Sequence, residues 1–205
     1  MSDVVDGTLL ASVFVTLFVI MDPPGTIPLF LALTSGGTPR QRKRAAWQAV
    51  AVAFLVIVSF ALFGRQLLTY LNISLPALQC AGGLLLLLVA LELLTGKEDE
   101  PVETKDVNVA LVPLGTPLLA GPGAIVATMV FVERVDDAPT FTAVALGVVG
   151  VHVMLWAFMR YSVVILRLIH ESGVTLVTRI SGLLLSAIAV QLVADAVRAF
   201  IAGEG

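Results

Sequence analysis

The chain is poorest in side chains that carry chemistry. One cysteine, Cys80, rules out an internal disulfide, and with only two histidines beside it there is no ligand set for a metal site. Lysines and arginines number 12 against 15 acids, a net charge of −3 with the basic residues scattered, so nucleic acid has no footprint to bind. The opening "MSDVVDG" contains no lysine or arginine, so it lacks the basic start of a cleaved signal peptide, and the first apolar segment is expected to stay in the protein. No Ser/His pair, paired carboxylates or CxxC arrangement supports catalysis; neither an enzyme nor a cofactor is expected. A channel would need a polar stripe along a whole helix, and no segment has one.

Apolar sequence is what the chain has in excess. Of 205 residues 58% are hydrophobic and 13% charged, with a mean hydropathy of +1.00, more than one soluble core of this length could hide. An all-α integral membrane protein is expected. A helix needs about 20 apolar residues to cross the hydrocarbon, and six stretches qualify: 9–34, 45–64, 75–95, 109–132, 141–161 and 176–201. Between the third and fourth lies "GKEDEPVETKDVN" (96–108), the one strongly polar run. With six crossings, one side receives Arg40, Arg42, Lys43, Arg44, Lys97, Lys105, Arg160, Arg167 and Arg179, and the other only Arg65, Arg134 and Arg198. Nine against three predicts "TPRQRKR" in the cytoplasm and both termini outside.

The first and fourth segments are interrupted. "MDPPGTIPLF" places an aspartate, three prolines and a glycine inside an apolar run. Proline removes a backbone donor and clashes with the carbonyl four residues back, and in hydrocarbon the freed polar groups cost several kcal/mol unless something satisfies them. The pattern predicts a half-helix to Met21, an unwound stretch over 22–25, and a second half-helix of 27–34 capped by Thr26, with Pro28 in its first turn. In "NVALVPLGTPLLAGPGAIVATMVFVER", Pro113 and Pro117 loosen one piece, Gly121, Pro122 and Gly123 unwind, and Ala124 starts the next.

The two interruptions belong to an internal repeat. A shift of 98 to 99 residues lays Pro24-Gly25 on Pro122-Gly123 and "GGLLLLLVALELL" on "SGLLLSAIAVQLV", so that Glu92 falls on Gln191. Each half (8–95 and 109–203) holds three segments, an odd number, so the second half enters the membrane inverted. One transmembrane domain over 1–205 is expected, two inverted three-helix repeats with the first and fourth helices broken mid-membrane. Paired interrupted segments are where secondary transporters bind their substrate. Amides at a half-helix start suit a carboxylate and free carbonyls at a half-helix end suit an ammonium group, so the pair suits a zwitterion.

Other polar residues fall inside the spans. A carboxylate at Asp22 costs roughly 2.5 to 3.5 kcal/mol on insertion scales, which a functional use would compensate. His152 could relay protons or be a neutral ring bonded to a neighbouring carbonyl. Gln191 could bind substrate or join helices. Glu92 is expected at an interface, Asp195 and Arg198 as a pair, and Trp47 and Trp156 as interface anchors.

"DPPGTIPLFLALT", "LPALQCAGGLLLL", "VALVPLGTPLLAGPGAI" and "TRISGLLLSAIAVQ" together resemble the MarC family of bacterial and archaeal membrane proteins, also called the neutral amino acid transporter family. The resemblance covers nearly the whole chain. It implies six transmembrane helices in a prokaryotic inner or plasma membrane, transport of small neutral amino acids such as glycine and alanine, and coupling to protons. It falls on Asp22, Pro24, Gly25 and Pro28, on Pro117, Gly121, Pro122 and Gly123, and on Gln191. Many relatives resemble Asn-Pro-x-Gly where this chain has Asp22-Pro23-Pro24-Gly25, and many have Arg where Gln79 stands, which leaves substrate and coupling ion open. The expected substrate site is Asp22, Pro23, Pro24, Gly25, Thr26, Thr116, Gly121, Pro122, Gly123, Ala124 and Gln191, with Asp22 and His152 as candidates for the coupling proton. The expected partners are a small neutral amino acid, a proton and the bilayer, with a homo-oligomer left open. Export of another small metabolite or toxic compound, or a membrane role other than transport, are the alternatives.

The charge bias makes one prediction. In a Cys80→Ser background, a cysteine at Gln41 should be shielded from impermeant thiol reagents in intact cells while one at Asp137 is labelled; labelling at both would overturn the topology.

Overall fold

The first helix, α1 (Gly7–Met21), starts where the Asp6 carboxylate accepts hydrogen bonds from the amides of Thr8 and Leu9, at 3.0 and 2.9 Å. It stops at Asp22, whose φ of 38° is left-handed and whose successors Pro23 and Pro24 have no amide to continue the ladder. The structure, a computed structural model, describes residues 5–96 and 119–203. After one unwound turn the chain resumes as α2 (Thr26–Leu33), bent by 49° from α1. Thr26, expected as the cap, is instead the first helical residue. Gly25 occupies the cap position, and the Thr26 hydroxyl donates back to the Pro23 carbonyl at 2.8 Å.

Helix α3 (Pro39–Tyr70) is longer than its apolar stretch. Thr38 and Gln41 form a capping box that begins the helix ahead of the first apolar residue, and its 32 residues reach about 48 Å against about 30 Å of hydrocarbon. Helix α4 (Leu75–Thr95) has the bounds its hydropathy predicts, from the Ser74 cap to a left-handed Gly96. The earlier half of the fourth segment, with Pro113, Thr116 and Pro117, lies outside the described residues, as does all but the first residue of the polar run. The later half is α5 (Pro122–Val132). It begins at Pro122 rather than Ala124, because Gly121 caps it and accepts from Ala124 and Ile125 at 3.0 and 3.2 Å, while Pro122 suits a first helical position. Helix α6 (Ala138–Arg160) opens on an Asp137 capping box. The Thr140 hydroxyl and amide both donate to the Asp137 carboxylate, which holds that carboxyl below its usual range. Helix α7 (Ser162–Ala202) starts well before the expected segment and is broken at His170, where φ is 62° and ψ is 165°.

Among the described residues there are only helices. Four of them, α3, α4, α6 and α7, are long and apolar enough to cross a membrane, and α1 with α2 makes a bent fifth span. Large apolar side chains point outward along them, among them Leu55, Phe63, Leu88, Leu146, Val153, Leu183 and Val190. So much exposed apolar surface is tolerable only against lipid. The ends of the helices sort onto two faces. One face gathers Asp6, which donates to the Pro139 carbonyl at 3.5 Å, and the Arg65–Glu133 pair at 3.6 Å; the opposite face gathers Thr34 and Arg42, joined at 3.4 Å, with Arg160 nearby.

Inside, α1 packs on α6, α5 on α3, and α4 along α7. A core of Val13, Leu17, Phe30, Ile57 and Leu155 holds the first group together. The α4–α7 seam depends on two glycines. A methyl group on Gly83 would stand 2.8 Å from the Ala189 carbonyl, and one on Gly182 would stand 3.2 Å from the Ala90 carbonyl. Gly83 and Gly182, like Ala90 and Ala189, are 99 positions apart, so the seam carries the same contact twice. Backbone approach through small residues is the usual means of helix association in lipid.

Gly83→Ala should therefore destabilise the folded protein by about 1 to 3 kcal/mol, because the opposing group is backbone and cannot step aside. Gly36→Ala, with nothing within 4 Å, should be neutral. Unfolding midpoints in detergent check this, and equal midpoints for both variants would refute the seam's dependence on Gly83.

Candidate functional site

The interruption between α1 and α2 leaves few backbone groups unmet. The Asp22 amide donates to Phe18 at 3.1 Å, and the Thr26 amide donates to the Asp22 carbonyl at 3.0 Å. Asp22, Pro23, Pro24 and Thr26 are all buried, while Gly25 is half-buried. The Asp22 carboxylate lies directly over the Cα of Gly25, so a methyl group there would overlap it, and the same methyl would stand 3.0 Å from the Thr178 hydroxyl of α7. The break thus brings a carboxylate and a hydroxyl from a distant helix to one glycine.

Gly25 opens into a cavity of about 660 Å³ toward the Arg42 face, lined also by Pro28, Leu93, Gly96, Val174, Thr178 and Arg179. A second cavity, of about 630 Å³, opens on the other face between α1, α4, α5 and α7. Ser12, Thr16, Gln79, Gln191 and Asp195 supply its polar wall. The two are lined by matching residues. Leu75, Gln79, Leu192 and Asp195 of the second cavity stand 99 positions from Val174, Thr178, Leu93 and Gly96 of the first. Between them, along α4 and α7, lies a small apolar cluster of Val19, Leu86, Ala90, Leu185 and Ala189, all buried. Leu86 and Leu185 are again 99 apart.

The expected site residues divide between these places. Of the first stretch Gly25 lines the first cavity, while Asp22, Pro23, Pro24 and Thr26 are buried in the turn beside it. Gln191 is exposed in the second, where its amide donates to Asp195 at 2.8 Å and Asp195 in turn pairs with Arg198 at 3.4 Å. Ala120 and Ala124, flanking the start of α5, belong to the same buried core as Met21 at the end of α1, and α1 packs against α5. The space above the Cα of Gly123 is filled by the Leu86 side chain, a packing contact rather than an open approach. Thr116 lies outside the described residues. His152 lines neither cavity. It is buried in α6, its Nδ1 2.7 Å from the Val148 carbonyl and its ring edge-on to Phe54 at 5.1 Å. Thr178 was not singled out by the sequence, although the 99-residue shift pairs it with Gln79.

The chain matches the family model described as MarC family integral membrane protein over residues 7–201. It is similar to a UPF0056 membrane protein of Methanocaldococcus jannaschii, 34% identical over 90% of this chain and 94% of that one. It also resembles the UPF0056 membrane protein YvbG of Bacillus subtilis, 32% identical over 88% and 90%, and YhcE of Escherichia coli, 29% identical over 93% and 92%. No solved structure matches it.

The Gly123–Leu86 contact is open to a double-mutant test. Gly123→Ala alone should cost about 1 to 3 kcal/mol of stability, and combined with Leu86→Ala it should cost less than the sum of the two single losses. Strictly additive losses in detergent unfolding would mean the contact does not limit what fits at Gly123.

Proposed function

We propose that this chain, which belongs to the MarC family of integral membrane proteins, is a secondary transporter that moves a small neutral amino acid by alternating access, driven by protons. What carries the reading is the pair of cavities opening on opposite faces, lined by residues 99 positions apart and separated by one thin apolar cluster. A carrier needs two such half-paths and a barrier that can be moved from one to the other. Each cavity falls within the usual volume range of a small-molecule site, roughly 300 to 1,000 Å³.

The finer architecture follows. Six spans as two inverted repeats are supported by the packing pairs, since exchanging the halves turns α5 on α3 into α2 on α6, and α5 on α4 into α2 on α7, and all four contacts occur. The charge bias then puts both termini outside a prokaryotic plasma membrane and the Arg42 face in the cytoplasm. In this scheme the start of α5 offers amide groups to the substrate's carboxylate once Leu86, which here packs over Gly123, has moved aside, while the end of α1 and Asp22 face the ammonium group or the proton. Nothing in such a cycle breaks a covalent bond, so we assign no catalytic residue and no cofactor.

Asp22 is assigned the coupling proton, because relatives that resemble Asn at this position would bind substrate without the charge. In proteoliposomes, labelled glycine, alanine or serine should accumulate when a proton gradient is imposed. Asp22→Asn should keep substrate exchange but lose gradient-driven accumulation and its pH dependence. If the acid instead holds the ammonium group, affinity falls at every pH, by about 1.5 to 3 kcal/mol. Flux of a different small solute would keep the mechanism and change the cargo; no flux of any solute would remove the transport reading.

A further inference from the structure

We propose that a basic cleft on the Arg42 face, outside both transport cavities, binds the phosphate-bearing headgroup of an anionic membrane lipid. The cleft encloses about 200 Å³ where the start of α3 meets the end of α6 and the start of α7. Arg42, Lys43 and Arg160 contribute three cations from two helices, and Tyr161, Val163 and Val164 complete the wall. Among the described residues the two ion pairs, Arg65–Glu133 and Arg198–Asp195, are both at the other face, so no described carboxylate lies within 4.0 Å of these three cations.

Two of the three charges, those of Arg42 and Arg160, are held in place. The Arg42 Nε is buried with no hydrogen-bond partner, and its terminal nitrogen makes a long 3.4 Å bond to the Thr34 carbonyl. A buried donor without an acceptor is costly, and a phosphate oxygen supplies the acceptor. The Arg160 guanidinium stacks over the Tyr161 ring at 5.1 Å, which fixes its direction. The cleft also receives the positive end of the α3 dipole, whose first residue, Pro39, lines it.

A lipid fits this site better than a free phosphate because the rim is greasy. Val163 and Val164 of the wall are exposed, and Trp47, one turn beyond Lys43 on the same side of α3, is 64% exposed. Aromatic rings at that level mark the boundary between headgroups and acyl chains. Lysine and arginine clusters at helix ends, and basic pockets between transmembrane helices, are the recurrent means of holding anionic headgroups.

The test uses the full chain in nanodiscs or detergent with dioleoyl phosphatidylglycerol as the probe and phosphatidylcholine as the neutral comparison. Native mass spectrometry should show preferential retention of phosphatidylglycerol, with a matching rise in unfolding midpoint. Combining Arg42→Gln, Lys43→Gln and Arg160→Gln should weaken that binding about tenfold or more. Combining Arg40→Gln, Arg44→Gln and Arg167→Gln, an equal loss of charge outside the cleft, should weaken it by less than about threefold. Equal weakening in both would reduce the effect to general surface charge and overturn the site. Wild-type protein alone also decides. No preference for phosphatidylglycerol overturns the proposal, as does full displacement by soluble glycerol 3-phosphate, which would make the ligand a free phosphate. If mutating the acids of residues 98–106 increases lipid binding, the chain's own acidic run holds the cleft and the proposal falls.

Discussion

A hydrocarbon interior does not tolerate unpaired backbone polar groups, and the two prolines after Asp22 create them in the middle of a span. The rest of the molecule is arranged around that cost. Locally, the Thr26 hydroxyl and amide return to the carbonyls of Pro23 and Asp22. Beyond that, the turn must be covered by protein, so α1 lies against α5, α6 and α7, and Asp22, Pro23 and Pro24 are buried. The lipid-facing leucines, valines and phenylalanines of α3, α4, α6 and α7 then surround an interior in which irregular backbone can survive.

The α4–α7 seam is the complement of that broken centre. Where α1 and α2 lose regularity, α4 is an uninterrupted helix, and its backbone approaches that of α7 through Gly83 and Gly182. The close approach is at mid-length, beside Ala90 and Ala189, so the cavities lie toward the two ends of the seam. The same pair of helices thus separates the two cavities and lines both of them.

Much of this was legible in the sequence, and what was not has identifiable causes. Hydropathy gave the bounds of α4 because its apolar run ends at Ser74 and Gly96, which are also its caps. It failed for α3, where a capping box starts the helix in charged sequence, and for α7, whose apolar first turns, Ser162 to Ile169, are cut off by the His170 break and are too short to count as a span. Pro23 and Pro24 announced the first interruption, but not that Gly25 would cap α2, since that depends on how the turn closes. Thr178 is ordinary in sequence. Only the fold shows it at Gly25, 153 positions away. Gly123 was expected in an unwound stretch; that it lies in the first turn of α5 with Leu86 packed over its Cα required three dimensions.

In the proposed inverted repeat, exchanging the two halves would carry one cavity onto the other, and this has a thermodynamic consequence. Were the halves identical, a form open on one face and a form open on the other would be related by a two-fold rotation and equal in energy, each populated by half the molecules. The resting bias of such a protein is therefore written in the positions where the halves differ, and the cavities name them: Gln79 against Thr178 and Gly96 against Asp195, with Glu92 against Gln191 beside them. A difference of about 1.4 kcal/mol summed over these pairs sets a tenfold preference for one face. Polarity in this fold is thus a small perturbation on a symmetric scaffold, and a handful of side chains is enough to reverse it.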